Sequence, residues 1–255
     1  MALIRLLIDH PQDGAWNMAV DESILHFASE KKLATLRFYQ WKKPTVSLGY
    51  FQKSDDLNDF QMLSDVDLVR RMTGGGAIVH HHELTYSFVT PITDRLHHNN
   101  YALYQKFHQG LIEVLNQWDI LAHLYDNPHS DEKGLSKAEP KRAEPFLCFE
   151  RRSEGDLIIG QKKVTGSAQR RHKNAILQHG SILLETSPLT KHLTAINELQ
   201  PNHVEQEKLL SLFLQKLSDS LGGEFQQGEL TEKEIDLAHQ IKKERYDNPS
   251  WTYKR

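Results

Sequence analysis

From residue 104 to 118 the apolar side chains Phe107, Leu111, Val114, Leu115 and Trp118 recur every three or four positions. That period lines one stripe of an α-helix. A second helix is predicted over residues 16–31, after an Asp13-Gly14 turn, with Met18, Asp21, Ile24, Leu25 and Ala28 at helical spacing. Short runs rich in β-branched and aromatic residues read as strands at 2–8, 36–41, 45–51, 66–71, 77–79 and 84–90, with Pro44 and Pro91 as breakers. Residues 156–159, 164–169 and 175–184 read the same way. Helical patterning returns at 205–221 and from 231 to about 246. The latter segment opens on Thr231 and Glu234 in the T-x-x-E arrangement of a capping box.

Strands dominate the first two thirds and helices the last, so the expected fold class is α+β. We expect a single domain over residues 1–255, a mixed and largely antiparallel sheet flanked by helices, with a helical C-terminal part from about 205. Residues 127–145 interrupt the pattern: they are polar, carry three prolines and lack periodicity. A loop of that length inside a compact domain usually has a functional reason.

Charge and cysteine content narrow the functional classes. A formal net charge of −3 argues against a nucleic-acid partner held by a global basic field. Basic residues do cluster locally, at Arg151-Arg152 and from Arg170 to Lys173. A lone cysteine excludes an intrachain disulfide framework and fits a reducing compartment. The first residues lack the basic and long apolar parts of a secretion signal. No apolar stretch nears the roughly 20 residues of a membrane span. A cytoplasmic protein without membrane association is expected.

Three segments carry candidate chemistry. The first is RRMTGGGAIVHHHELTYS, residues 70–87. Its glycines suit either a tight turn or a backbone that something approaches closely. They match neither a Walker loop nor a G-x-G-x-x-G that opens a helix, because Ala77-Ile78-Val79 is β-like. Neighbouring strand residues face opposite ways, so His80, His81 and His82 cannot share one ion. His97-His98 fails for the same reason. No metal site is expected; one histidine should face inward and the others solvent. The second candidate is Cys148, either a small buried hydrophobe or a thiol activated by the nearby Arg151 and Arg152. The third is GQKKVTGSAQRR, residues 160–171, either a solvated hairpin or a lysine held over a surface of small residues.

In combination and in this order these segments, followed by ILQHGSILL at 176–184, resemble the lipoate–protein ligase and octanoyltransferase family, related to the biotin protein ligase catalytic domain. RFYQWKKPTVSLGYFQ at 37–52 and WTYKR at 251–255 extend the likeness over the whole chain. The biotin branch fits less well, because its glycine motif is punctuated by arginine. The resemblance implies a pocket for an eight-carbon acyl chain, lined from Arg71, Thr73, Gly74, Gly75, Gly76, His80, Gly166, Ser167, Ala168, His179 and Gly180. It implies Cys148 and Lys163 as the catalytic pair. Cys148 lies fifteen residues ahead of Lys163, as in the octanoyltransferases whose cysteine precedes the lysine strand.

The implied reaction takes an octanoyl group from octanoyl-acyl carrier protein, whose phosphopantetheine belongs to the donor. The acceptor is a lipoyl domain, of the glycine cleavage H protein or a 2-oxoacid dehydrogenase E2 component. No cofactor of the enzyme's own is implied; ATP enters only under the alternative of a lipoate–protein ligase. A lipoyl-domain amidotransferase is the other alternative. The chain departs from the family at His81, where relatives usually have Asp. Arg151, Arg152, Arg170 and Arg171 are candidates for docking an acidic carrier.

Overall fold

The computed structural model describes residues 2–92, 101–126, 145–200 and 203–255. Strand β1 (Ala2–Ile8) leads into α1 (Gly14–Lys31), then β2 (Ala34–Tyr39), β3 (Thr45–Leu48), β4 (Asp67–Arg70), β5 (Ile78–His80) and β6 (Leu84–Pro91). Helix α2 (Tyr101–Asn116) is followed by β7 (Ala122–Leu124), β8 (Leu157–Ile159), β9 (Lys162–His172) and β10 (Ala175–Ile182). The last part holds α3 (Gln206–Leu221), β11 (Gly223–Gln227), α4 (Glu232–Ile241) and α5 (Pro249–Thr252). Among these residues no helix is long and apolar enough to cross a membrane. The 127–144 part of the predicted functional loop and the His97-His98 pair lie outside the described residues.

Eight strands form one sheet in the order β11-β1-β2-β6-β10-β9-β8-β7. Its β11-β1-β2 end is parallel and the remainder antiparallel, the mixed and largely antiparallel sheet expected. Period-two alternation gives each strand two faces. On β2, Leu36 and Phe38 join a core with α2 and α3, through Phe107, Leu111 and Phe213. Tyr39 joins the opposite core, which α1 and α4 build from Met18, Ile24, Leu25 and Ala238. Capping is local and legible: the Asp13 side chain accepts from Trp16 N at 2.8 Å, and Thr231 and Glu234 close a capping box on α4.

A second sheet of three strands, in the order β4-β3-β5, packs its own small core of Val46, Leu48, Leu63, Ala77 and Val79. Strand β3 lies between β4 and β5, parallel to one and antiparallel to the other. The triple glycine is therefore no hairpin turn. Residues 71–77 cross from one side of β3 to the other and leave a loop at the sheet's end.

Sequence periodicity missed two strands. β11 is a five-residue polar strand, exposed at the sheet's edge, and β7 has three residues. Neither carries the apolar alternation of a buried strand.

Candidate active site

Cys148 is delivered by the small core rather than by a strand. Leu147 is buried against β3 and β5, and Phe146 stacks on Phe60 with ring centroids 4.8 Å apart. Two backbone bonds then fix the segment to the glycine loop: Ala77 N donates to Phe146 O at 2.9 Å, and Cys148 N donates to Ala77 O at 2.7 Å. A Cβ on Gly76 would lie 2.9 Å from both Cys148 N and Phe146 O, so only glycine admits this approach. Gly75 has a left-handed φ of +90°, a second position that favours glycine. Arg71 braces the loop from inside. Its guanidinium donates to Ser47 O (2.5 Å), Ser47 Oγ (2.8 Å), Gly74 O (3.0 Å) and Gly76 O (2.9 Å). Burial lowers its pKa to about 10, with the neighbouring Cys148 sulfur acting the other way.

Lys163 approaches the thiol from the large sheet. Its Nζ sits 3.7 Å from Cys148 Sγ, 3.2 Å from Cys148 O and 2.8 Å from Asp156 Oδ2. Lys163 and Asp156 are each only 6% exposed, so each charge depends on the other for solvation. Ser153 N also donates to Asp156 Oδ2, at 2.6 Å. Gly166 makes the room. A Cβ there would meet Lys163 Cε at 2.7 Å and Nζ at 2.9 Å.

Between the two sheets runs a narrow, largely apolar cleft with Cys148 in its wall. Met18, Trp41 and Ile78 supply apolar surface, and Gly74, Gly75, Gly166, Ala168 and Gly180 keep it open. Polar side chains in the wall are tied back. His80 bonds Ser47 Oγ at 2.7 Å and Glu83 on its other nitrogen, and stacks on Trp41 at 3.7 Å. Burial depresses the His80 pKa, against the opposing pull of Glu83. His179 bonds Thr73 Oγ1 at 2.6 Å and approaches Asp21 at 3.5 Å. Burial alone would raise the Asp21 pKa. Arg37 at 2.8 Å and hydrogen bonds from His179 and Ser87 outweigh it and hold the carboxyl below its ordinary value. Ser167 Oγ meets Tyr86 Oη at 2.6 Å and His108 Nε2 at 2.7 Å. With most of its polar side chains bonded within the protein, Arg71 Nε and Ser181 Oγ being exceptions, the wall forms a largely apolar channel with a thiol in it.

A model of the lipoyl protein ligase A/B catalytic domain matches residues 13–232. The chain belongs to that family. Octanoyltransferase LipM of Anoxybacillus flavithermus is 33% identical to it, over 94% of each chain. The protein of the same name from Bacillus subtilis is 30% identical, again over 94% of each. Two solved structures share the fold. The Ta0514 protein of T. acidophilum with bound lipoic acid has a TM-score of 0.79 and 22% identity, covering 99% of this chain and 100% of that one. A lipoate-protein ligase A bound with ATP has a TM-score of 0.78 and 23% identity, covering 99% of each.

Most of the residues expected from the family motifs meet in this cleft. Arg71, Gly74, Gly75, His80, Gly166, Ser167, Ala168, His179, Gly180 and Cys148 all line it. Thr73 and Gly76 sit one layer behind, Thr73 bonded to His179 and Gly76 under the Cys148 backbone. Arg71 does not reach out as a free anion holder; both its terminal nitrogens bond within the protein. Of the three histidines, His80 is buried, His81 half-buried and His82 exposed. His81 bonds Ser187 Oγ at 3.0 Å and lies outside the cleft, so the departure expected at His81 falls away from it.

Asp156, Asp21, Trp41 and Met18 were not expected as site residues. A sequence signal pointed to Asp21, whereas Asp156 becomes visible only in the strand register. Asp21 shares the apolar face of α1 with Met18 and Leu25, where a charge needs a buried partner. Asp156 precedes a Gly160-Gln161 turn whose strands place Ile158 opposite Lys163.

Proposed function

We propose that this chain transfers an octanoyl group from octanoyl-acyl carrier protein to the acceptor lysine of a lipoyl domain, through a thioester on Cys148. The observation that carries the reading is Lys163 Nζ, 3.7 Å from Cys148 Sγ at the apolar cleft and 2.8 Å from Asp156. The relatives named octanoyltransferase LipM, matched over nearly their whole length, support the acyl group assigned. An archaeal lipoate protein ligase studied with its E2 lipoyl domain shares the fold at a TM-score of 0.76 and 21% identity.

The chemistry follows from the need to exchange a thioester for an amide without an activating nucleotide. The Cys148 thiolate attacks the donor carbonyl. A new C–S bond forms, the bond to the pantetheine sulfur breaks, and the leaving thiolate takes up the proton that Cys148 gave. The acceptor amine then attacks the acyl-enzyme; its C–N bond forms, the Cys148 C–S bond breaks, and the amine's proton returns to the sulfur. Lys163 suits an ammonium role in both steps. Its three N–H groups have three acceptors: the Asp156 carboxylate, the Cys148 carbonyl and the Cys148 sulfur. An ammonium there stabilises the thiolate and then the oxyanion that develops beside it.

The test is incubation with octanoyl-carrier protein in the absence of ATP, followed by intact and peptide mass. An octanoyl adduct on Cys148 that disappears in Cys148→Ala is the expected result. Acylation of the lipoyl domain that requires ATP and proceeds without Cys148 would replace the reading by a ligase. An adduct formed only from octanoylated lipoyl domain would make the enzyme an amidotransferase.

A further inference from the structure

Against a net charge of −3, one face of the molecule gathers cations on aromatic rings. Lys254 Nζ lies 3.4 Å from the Trp251 ring centroid and 3.5 Å from that of Tyr50. The Arg170 guanidinium stands 5.4 Å from the Tyr50 ring, and that of Arg255 stands 5.3 Å from Phe51. Arg245 stands 4.6 Å from the Trp251 ring and is the member with a carboxylate partner, Glu22. Among the described residues no carboxylate makes an ion pair with Arg70, Arg170, Lys254 or Arg255.

The arrangement is fixed from below. Buried Arg70 donates to Thr252 O (2.9 Å), Gly49 O (2.9 Å) and Gln52 O (2.6 Å), while Trp251 Nε1 donates to Arg70 O at 2.9 Å. Ser54 holds Arg255 O through both its N and its Oγ. The mutual repulsion is visible at Lys254, whose pKa falls to about 8 through partial burial and the nearby Arg70, Arg255, Arg245 and Arg170.

This face adjoins the acyl cleft. Tyr50 N donates to Thr73 O at 2.8 Å, Gly49 packs against the Gly75 carbonyl, and Arg170 follows the cleft residue Ala168 by two positions on β9. We propose that the Tyr50–Trp251 ring cluster and its cations form the surface on which the acidic carrier protein of the acyl donor docks. The proposal rests on the carrier-protein donor reading given above. A single phosphate would need donors converging on one point. Here the cations are shared among the Tyr50, Phe51 and Trp251 rings, and Phe51 is 67% exposed, which suits a protein face bearing several carboxylates beside an apolar patch. The alternative clusters are less available. Arg151 is turned onto Pro145 O, and Arg152 donates to Gln161 O at 2.6 Å and lies over Tyr125.

The test is Arg170→Glu combined with Lys254→Glu, read by single-turnover acylation of Cys148 as octanoyl-carrier protein is titrated at low salt. The half-saturating donor concentration is expected to rise about tenfold with the maximal rate constant little changed, and the effect to fade at high salt. Acylation by octanoyl-pantetheine, which lacks both protein and phosphate, should match wild type and so verifies the fold. Arg170→Lys with Lys254→Arg should restore carrier affinity. An unchanged half-saturation for carrier protein overturns the proposal. So does an equal loss with octanoyl-phosphopantetheine, which would make the surface a site for the arm's phosphate. A defect confined to the acceptor step would assign the face to the lipoyl domain instead and also overturns it. Failure of the donor reading looks different: wild type itself would then take no octanoyl group from carrier protein.

Discussion

Gly166→Ala perturbs the Lys163–Cys148 pairing without replacing either residue. The added methyl would stand 2.7 Å from Lys163 Cε, 2.9 Å from Nζ and 3.4 Å from Asp156 Oδ1. Carbon atoms in contact prefer about 3.5–4.0 Å, so the lysine's end must retreat by about 1 Å. It is the flexible part of the side chain that moves, and Gly166 is not among the positive-φ glycines, so alanine meets no backbone strain. Stability should change little, since alanine in a strand regains about 0.5–1 kcal/mol relative to glycine.

Catalysis should suffer far more. An ammonium aimed at the sulfur and the developing oxyanion acts over a short distance, and loss of one such preorganised group costs about 10²–10³ in rate. Single-turnover acylation of Cys148 by octanoyl-pantetheine, beside thermal unfolding, measures both quantities. A folded variant slowed about a hundredfold is expected. Wild-type rates in a folded Gly166→Ala protein would refute the assigned role of Lys163. Loss of activity only in step with unfolding would refute the claim that the lysine yields before the strand does.

Asp156→Asn leaves a buried ammonium without its counter-charge; the denaturant midpoint should fall by the equivalent of up to about 3–5 kcal/mol, with acylation slowed as well, and an unshifted midpoint would contradict the pairing. Ala168→Phe narrows the cleft, so butanoyl donors should gain on octanoyl donors in a competition assay; unaltered preference would remove Ala168 from the acyl channel. Glu234, held by Arg5 and Thr231, has its pKa lowered from 4.5 to about 2. A depressed carboxyl stabilises the fold fully above its unfolded value, and the benefit is lost as pH falls from about 4.5 to about 2. Urea melts should therefore show Glu234→Gln weaker than wild type at neutral pH, with the gap closing across that acid window.

Periodicity located α1, α2, α3, the start of α4 and the buried strands, because each places one apolar face against a core. It was silent on β11 and β7, which lie at the two edges of the large sheet. The site was legible to a different degree. Cys148 and Lys163 came from motif order, and the structure brings them within 3.7 Å. Their positioning partner Asp156 was not found, because its role depends on a hairpin register with a shift between Leu157 and Ile158 that no local pattern encodes. Trp41 was hidden for a related reason. It stacks on His80, a residue thirty-nine positions away in the chain.

The triple glycine gains a different meaning from this placement. Composition alone allowed a turn or a cradle for a ligand, yet each glycine answers a separate demand. Gly74 borders the cleft, with only Phe51 within 4 Å of where its Cβ would stand. Gly75 supplies a left-handed φ, and its carbonyl presses so close to Gly49 that a Cβ on Gly49 would stand 1.9 Å from it. Gly76 lets the backbone of Cys148 come down onto the loop, while Gly166, on the opposite sheet, lets Lys163 reach the sulfur. The thiol and the amine thus meet because two side chains are missing, one on each side of them. The two absences differ in what they protect. At Gly76 the neighbour is rigid backbone, so substitution there displaces the whole Cys148 segment; at Gly166 it is a flexible side-chain end, so substitution leaves the fold and moves Lys163 off the sulfur.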